Sequence, residues 1–168
     1  MGQLVSLAEA CRVRQVLRAQ AKTVVLTNGI FDLLHVGHVR YLQAARQLGD
    51  TLFVGLNSDA SARKLKGPAR PLVPQAERAE ILCALTHVDY VVIFAERTAE
   101  RLVRLLQPDI YAKGGDYLPQ QGQPKALPEA PLVESYGGRV VILPYSAGHS
   151  TSALAERILN ASGQAAEG

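Results

Sequence analysis

Two histidines three residues apart, His35 and His38, with Gly37 between them, are the side chains in this 168-residue chain most plainly spaced for chemistry. At helical spacing i, i+3 they stand one above the other on one face, so both rings can address one anion. Their surroundings explain how. Thr23, Val24, Val25, Leu26 and Thr27 are β-branched and apolar and read as a buried strand. Asn28-Gly29 is a break signal. Val39, Leu42, Ala45, Arg46 and Leu48 then follow a helical pattern. The unit is strand, short loop, helix, with the histidines in the helix's first turn. That turn carries unpaired N–H groups and the positive end of the dipole, which suits a phosphate. Gly37 costs about 1 kcal/mol against alanine in a helix, as expected where something approaches the backbone closely. A zinc pair is the competing reading, but the HExxH site uses spacing i, i+4 with a glutamate. No glutamate lies between these two, and no third ligand is evident nearby. GxGxxG and GxxxxGK[ST] are both absent from the stretch.

Other elements must bring further polar groups to this turn. Residues 4–20 read as an amphipathic helix with Ser6 as a cap. Residues 51–56 form a second buried strand ending in Asn57-Ser58-Asp59. Polar residues at such strand ends line the crevice of open α/β sheets, and they also cap helices. Arg63, Lys64, Lys66 and Arg70 surround Gly67, Pro68 and Pro71, which predicts a basic loop closing as a mobile lid. A helix over 74–86, with Pro74 in its first turn, carries Arg78. A strand over 88–94 follows, then a helix capped by Thr98 and stopped by Pro108. The strand over 109–113 ends in Lys113-Gly114-Gly115-Asp116, where the glycines allow close backbone approach and Asp116 could order a sugar or phosphate partner. Residues 118–131 read as an irregular loop, and 132–136 as the end of a short helix closed by Gly137-Gly138. The last strand is 139–143. Ser150, Thr151 and Ser152 then open a helix, as caps and as a second phosphate site. Five strands alternating with helices predict an α/β fold, a Rossmann-like three-layer sandwich around a five-stranded parallel sheet. A switch point in that sheet would gather the loops after 27, 57, 113 and 145 around one crevice. The expected organisation is one domain over 1–160, its first helix within 1–20, and a frayed tail over 161–168.

Composition narrows the classes. Hydrophobic residues at 48% and charged ones at 20% are ordinary for a globular domain. Net charge is +3 and pI about 9.0, a mild excess that suits a phosphorylated small molecule. Tryptophan is absent and no basic block carries interleaved aromatics, which argues against nucleic acid as a partner. Cys11 and Cys83 show no metal spacing, and the default is a reducing cytoplasm. No apolar run reaches membrane-spanning length, and no signal-peptide core opens the chain.

The string Thr27-Asn28-Gly29-Ile30-Phe31-Asp32 followed by His35-Val36-Gly37-His38 resembles the HxGH signature of the cytidylyltransferase-like nucleotidyltransferases. Class I aminoacyl-tRNA synthetases share a related motif, but a chain of this length leaves no room for an anticodon-binding domain. The resemblance covers about residues 20–160. Leu56-Asn57-Ser58-Asp59, Leu65-Lys66-Gly67-Pro68 with Arg70-Pro71-Leu72, and Lys113-Gly114-Gly115-Asp116-Tyr117 look like the heptose-phosphate branch, the bacterial heptose 1-phosphate adenylyltransferases. The segment 118–131 departs from that branch, whose usual segment is shorter. The resemblance implies transfer of AMP from ATP to D-glycero-D-manno-heptose 1-phosphate with release of pyrophosphate. It implies catalysis by His35, His38 and Lys66. It implies nucleotide binding by Thr27, Asn28, Gly29, Ile30, Phe31, Gly37, Lys64, Ser150, Thr151 and Ser152. Acceptor binding would fall to Asp32, Asn57, Asp59, Arg78, Lys113, Gly114, Gly115 and Asp116. Mg2+ is expected with the ATP, helped through water by Asp32 or Asp116, with no metal ligand set of the protein's own. A homodimer is the expected assembly. The alternatives are a cytidylyltransferase acting on glycerol 3-phosphate or a similar alcohol phosphate, a nucleic-acid binder, and a non-catalytic nucleotide-binding module.

Overall fold

The computed structural model describes residues 1–115 and 127–144, and positions 151, 154, 155, 157, 158, 160 and 161. In chain order the elements are β1 (Gln3–Leu4), α1 (Leu7–Ala19), β2 (Val24–Gly29), α2 (Val36–Arg46), β3 (Thr51–Asn57) and α3 (Asp59–Lys66). They continue with α4 (Gln75–Ala84), β4 (Tyr90–Phe94), α5 (Glu100–Leu106), β5 (Ile110–Gly114), α6 (Ala130–Ser135) and β6 (Arg139–Leu143). All strands pair in parallel, in the order β1-β4-β3-β2-β5-β6. Helices cover both faces. Val25, Leu52, Val54 and Leu56 pack with Leu42 and Ala45 of α2 and Ala79 and Leu82 of α4. On the other face Val24, Leu26, Phe53 and Tyr111 pack with Ala10 of α1, Leu102 and Val103 of α5 and Val133 of α6. Runs buried on both faces are what a covered parallel sheet requires.

The sheet has six strands where five were predicted. The extra one, β1, pairs Gln3 with Tyr90 and Leu4 with Val91 at the β4 edge. Two residues are too few to show an alternation, so it merges in sequence with the helix that follows. That helix starts at Leu7 behind Ser6, whose Oγ accepts from Glu9 N–H at 3.2 Å while Glu9 accepts from Ser6 N–H at 2.8 Å.

Three further boundaries differ. The predicted basic loop is helical through Lys66, and only residues 67–74 are irregular. Arg63, Lys64 and Lys66 occupy the last turn of α3, where cations meet the negative end of the dipole. At α5 the N-cap is Ala99, not Thr98. Ala99 N–H donates to the buried carboxylate of Glu129 at 2.7 Å, while Thr98 Oγ1 donates to Glu100 at 2.7 Å. A tertiary partner thus replaces the local cap. Of the predicted 118–131 loop, 118–126 lie outside the described residues, and Ala130 and Pro131 already belong to α6.

Candidate active site

β2 is central, and its end divides. It pairs with β3 from Val24↔Thr51 to Gly29↔Leu56, but with β5 only at Val25↔Ile110 and Leu26↔Tyr111. The chain runs outward on one side through β3 and β4 and returns on the other at β5, so this gap is the switch point where α/β sheets open a crevice. Side chains span it in place of a backbone ladder. On the α2 face, Tyr41 OH donates to Ala112 O at 3.0 Å and lies 2.7 Å from Thr27 Oγ1. One hydroxyl has one proton, so Thr27 donates in that second contact. On the opposite face, Asn28 Oδ1 accepts from Tyr111 OH at 2.5 Å and from Lys113 Nζ at 2.9 Å. Asn28 has room because its register partner is Gly55. A Cβ there would stand 3.1 Å from Asn28 Cβ and 2.6 Å from Leu102 Cδ2.

After Gly29 the chain turns through Ile30 and Phe31, whose φ of 49° lies in the left-handed region. The turn tucks the Phe31 ring inward, edge-on to His38 with centroids 5.5 Å apart. His35 is the N-cap of α2, in extended conformation, and His38 is its third residue. The backbone N–H of His35 points at His38 Nδ1 at 3.4 Å, and the two ring centroids are 4.0 Å apart. Burial, reinforced by the neighbouring charge of His35, pushes His38 down from 6.5 to about 4. At pH 7 the ring is neutral. With Nδ1 accepting, its proton sits on Nε2 and is available as a donor. Gly37 is buried between the two histidines.

Four predicted acceptor ligands, Asp32, Asn57, Asp59 and Arg78, have other partners. Asp32 is buried, accepting from Leu72 N–H at 2.7 Å, Val73 N–H at 2.9 Å and Arg70 Nη1 at 2.9 Å. Arg78 is fully buried. It donates to Ile30 O, to Val73 O at 2.9 Å, to Asn57 O at 3.0 Å and to Asp59 Oδ1 at 2.7 Å. Asn57 Nδ2 turns onto Ser61 Oγ at 2.9 Å. These residues brace the ends of β2 and β3 against α3 and the segment 67–74, and that segment is tied down where a mobile lid was predicted.

Lys64 and Lys66 are exposed in the last turn of α3. Gly114 closes β5 opposite Leu143, and Gly115 follows it half-buried. Thr151 is a helical, half-buried position, while Asp116, Ser150 and Ser152 lie outside the described residues. Tyr41 and Tyr111 were missed by sequence reasoning. Both were findable: Tyr41 is three residues beyond His38 on one helix face, and Tyr111 shares a strand face with Lys113. Among the described residues, no group of three or more His, Cys, Asp or Glu could hold a metal ion. Nor is any described helix long and apolar enough to cross a membrane.

The paired imidazoles thus stand at a helix N-terminus, at the switch point of a parallel sheet. A family model described as Cytidylyltransferase-like matches residues 26–157, and the chain belongs to that family of nucleotidyltransferases. It is 56% identical over 157 residues to a bifunctional protein HldE of Syntrophotalea carbinolica, covering 93% of this chain and 31% of that protein. It is 52% identical over 141 residues to the bifunctional protein HldE of Streptomyces coelicolor, covering 84% of this chain and 29% of that protein. The chain thus spans about three-tenths of the length of the curated relatives it matches. Among solved structures, a lipopolysaccharide core biosynthesis protein from Thermoplasma volcanium aligns with TM-score 0.58 and 27% identity, over 74% of this chain and 97% of that one. A pantoate-beta-alanine ligase from Francisella tularensis aligns with TM-score 0.60 at 12% identity, over 90% of this chain and 69% of that one, a likeness of fold alone.

Proposed function

We propose that this chain transfers AMP from ATP to D-glycero-D-manno-heptose 1-phosphate, forming ADP-heptose and pyrophosphate. The observation that carries the reading is the His35–His38 pair, with His38 held neutral, on the first turn of α2 beside the β2–β5 gap. Relatives named bifunctional protein HldE, the lipopolysaccharide title of the Thermoplasma structure, and the LNSD, LKGP and KGGDY strings support the heptose acceptor over glycerol 3-phosphate.

In this reading an oxygen of the sugar phosphate attacks the α-phosphorus of ATP. The bond from that phosphorus to the bridging oxygen of the β-phosphate breaks, and pyrophosphate leaves with the electron pair. A phosphate monoester, with a second pKa near 6, is already largely dianionic at neutral pH, so no base is required. The site's task is to align two polyanions and neutralise charge on the α-phosphoryl and leaving groups. His38 Nε2–H, His35 and the free N–H groups of α2 supply donors, and Lys66 and Lys64 supply cations from α3. A neutral His38 suits this role, because it donates without paying to desolvate a charge before the nucleotide arrives. Thr27, Asn28, Lys113 and Gly114 border the gap from β2 and β5. Mg2+ would come with ATP, held by phosphate oxygens and water, since the Asp32 and Asp59 carboxylates are engaged by Arg70 and Arg78.

The test is pyrophosphate release with ATP, CTP, GTP and UTP, each against heptose 1-phosphate and glycerol 3-phosphate. Release with ATP and the heptose phosphate is expected. Release only with CTP and glycerol 3-phosphate would keep the reaction and overturn the acceptor.

A further inference from the structure

The segment 67–74 carries one cation that no role above absorbs. Arg70 sits where this segment meets the β2–α2 loop, and its guanidinium pairs with Asp32, three residues before His35. The arrangement is asymmetric. Both Asp32 oxygens are engaged, one taking the Leu72 and Val73 N–H groups and the other taking Arg70 Nη1. Arg70 is only partly engaged. Its side chain is 28% exposed against 7% for Asp32. Among the described residues, no group accepts from its Nε or Nη2. A guanidinium has five N–H donors in a planar fork, of which this contact uses one. The carboxylate therefore orients the fork without consuming it. The support beneath is cross-braced. Arg78 ties Ile30 O of the histidine loop to Val73 O of the segment.

We propose that Arg70 is a phosphate-binding residue at the mouth of the site, and that Asp32 is the positioning residue that aims it. The ligand is a phosphate group of one of the two substrates, and the fork would take two of its oxygens at once. Because Asp32 holds the side chain in place beforehand, little rotamer entropy is lost on binding. The inference rests on the nucleotidyl-transfer reading for its kinetic test, while its binding test does not.

The experiment compares wild type with Arg70→Ala, Arg70→Lys and Asp32→Asn. It measures KM for ATP and for heptose 1-phosphate, kcat, thermal midpoint, and the Kd for ATP and for inorganic phosphate by calorimetry. Arg70→Ala should raise KM for one of the two substrates about 10- to 100-fold, the loss expected for a charge-assisted pair, with kcat within about twofold. Which KM moves identifies the phosphate. Arg70→Lys should recover part of the loss, since charge remains and the fork does not. Asp32→Asn keeps acceptors for Leu72 and Val73 and removes the charge, so the same KM should rise by less. Unchanged KM values in Arg70→Ala, or a fall confined to kcat, would overturn the proposal. If wild type turns over no nucleotide with heptose 1-phosphate, the Kd values decide alone. A weakened Kd for ATP or phosphate in Arg70→Ala sustains the phosphate contact, and unchanged values end it.

Discussion

The two ends of the sheet use the same carboxylate chemistry to opposite purposes. At the strand starts, Asp109, Asp50 and Asp89 accept from the N–H groups of Val24, Thr23 and Leu52, each at 2.8 Å. Each also pairs with a cation: Arg14 at 3.0 Å, Lys22 at 3.4 Å and Arg46 at 2.9 Å. Charges there are matched one to one. The Thr23 N–H, helped by Lys22, holds the Asp50 carboxyl below its ordinary range. At the strand ends, Asp32 and Asp59 again pair with one arginine each, Arg70 at 2.9 Å and Arg78 at 2.7 Å, and Asp32 also takes two backbone N–H groups, while Lys113 and the two histidines lie at the same end of the sheet. The matched end is a set of clips that fix strand register. The strand ends are braced by the same kind of clip, beside the turn that carries His35 and His38.

Mutations should separate the two ends, and the largest loss of stability is expected where bracing is most buried. Arg78→Met leaves the Asp59 carboxylate and the carbonyls of Ile30, Asn57 and Val73 without their donor. Removing one partner of a buried pair costs about 3–5 kcal/mol. That is on the order of 10 °C in thermal midpoint for a chain of this size, and differential scanning calorimetry would measure it. A loss below about 2 °C would show that Arg78 is not a brace.

The next effect depends on pH. His38 is pushed down from 6.5 to about 4, so the unfolded chain binds a proton that the folded chain refuses in that interval. The His38 contribution should be constant above 6.5, fall as pH drops toward about 4, and level off below, where the loss of depressed carboxylates such as Asp50 takes over. Denaturation midpoints across that range should show the slope in wild type and a shallower one in His38→Gln. Equal slopes would place the burial cost elsewhere.

The smallest effect belongs to the matched end. Asp109→Ala removes the Val24 acceptor and the Arg14 partner, and should cost about 1–2 kcal/mol with kcat unchanged. A fall in kcat larger than the fall in stability explains would blur the division between the ends.

Much of this was legible in the sequence for local reasons. The strand–loop–helix around 27–41 was readable because the apolar strand, the Asn28-Gly29 break and the helical period are all short-range signals. Ser6 as a cap was readable because its partner Glu9 is three residues away. What escaped depends on distant chain. Asp32 finds Arg70, Leu72 and Val73, and Arg78 joins groups from three separate stretches, at Ile30, at Asn57 and Asp59, and at Val73. Nothing within a few residues of Arg78 distinguishes a buried brace from a ligand-facing cation. The 63–71 stretch misled through its prolines and glycine. Those residues do end α3, but only after the helix has carried Arg63, Lys64 and Lys66.

The most direct measurement is pyrophosphate release from ATP and heptose 1-phosphate by His38→Ala, with Asp109→Ala alongside. Losing one preorganised donor to the transition state should lower kcat about 100- to 1,000-fold in His38→Ala, with its thermal midpoint at neutral pH close to wild type. Asp109→Ala should show the reverse, a lower midpoint and wild-type turnover. A His38→Ala protein that keeps its turnover within about tenfold of wild type would contradict the assignment of chemistry to the histidine turn.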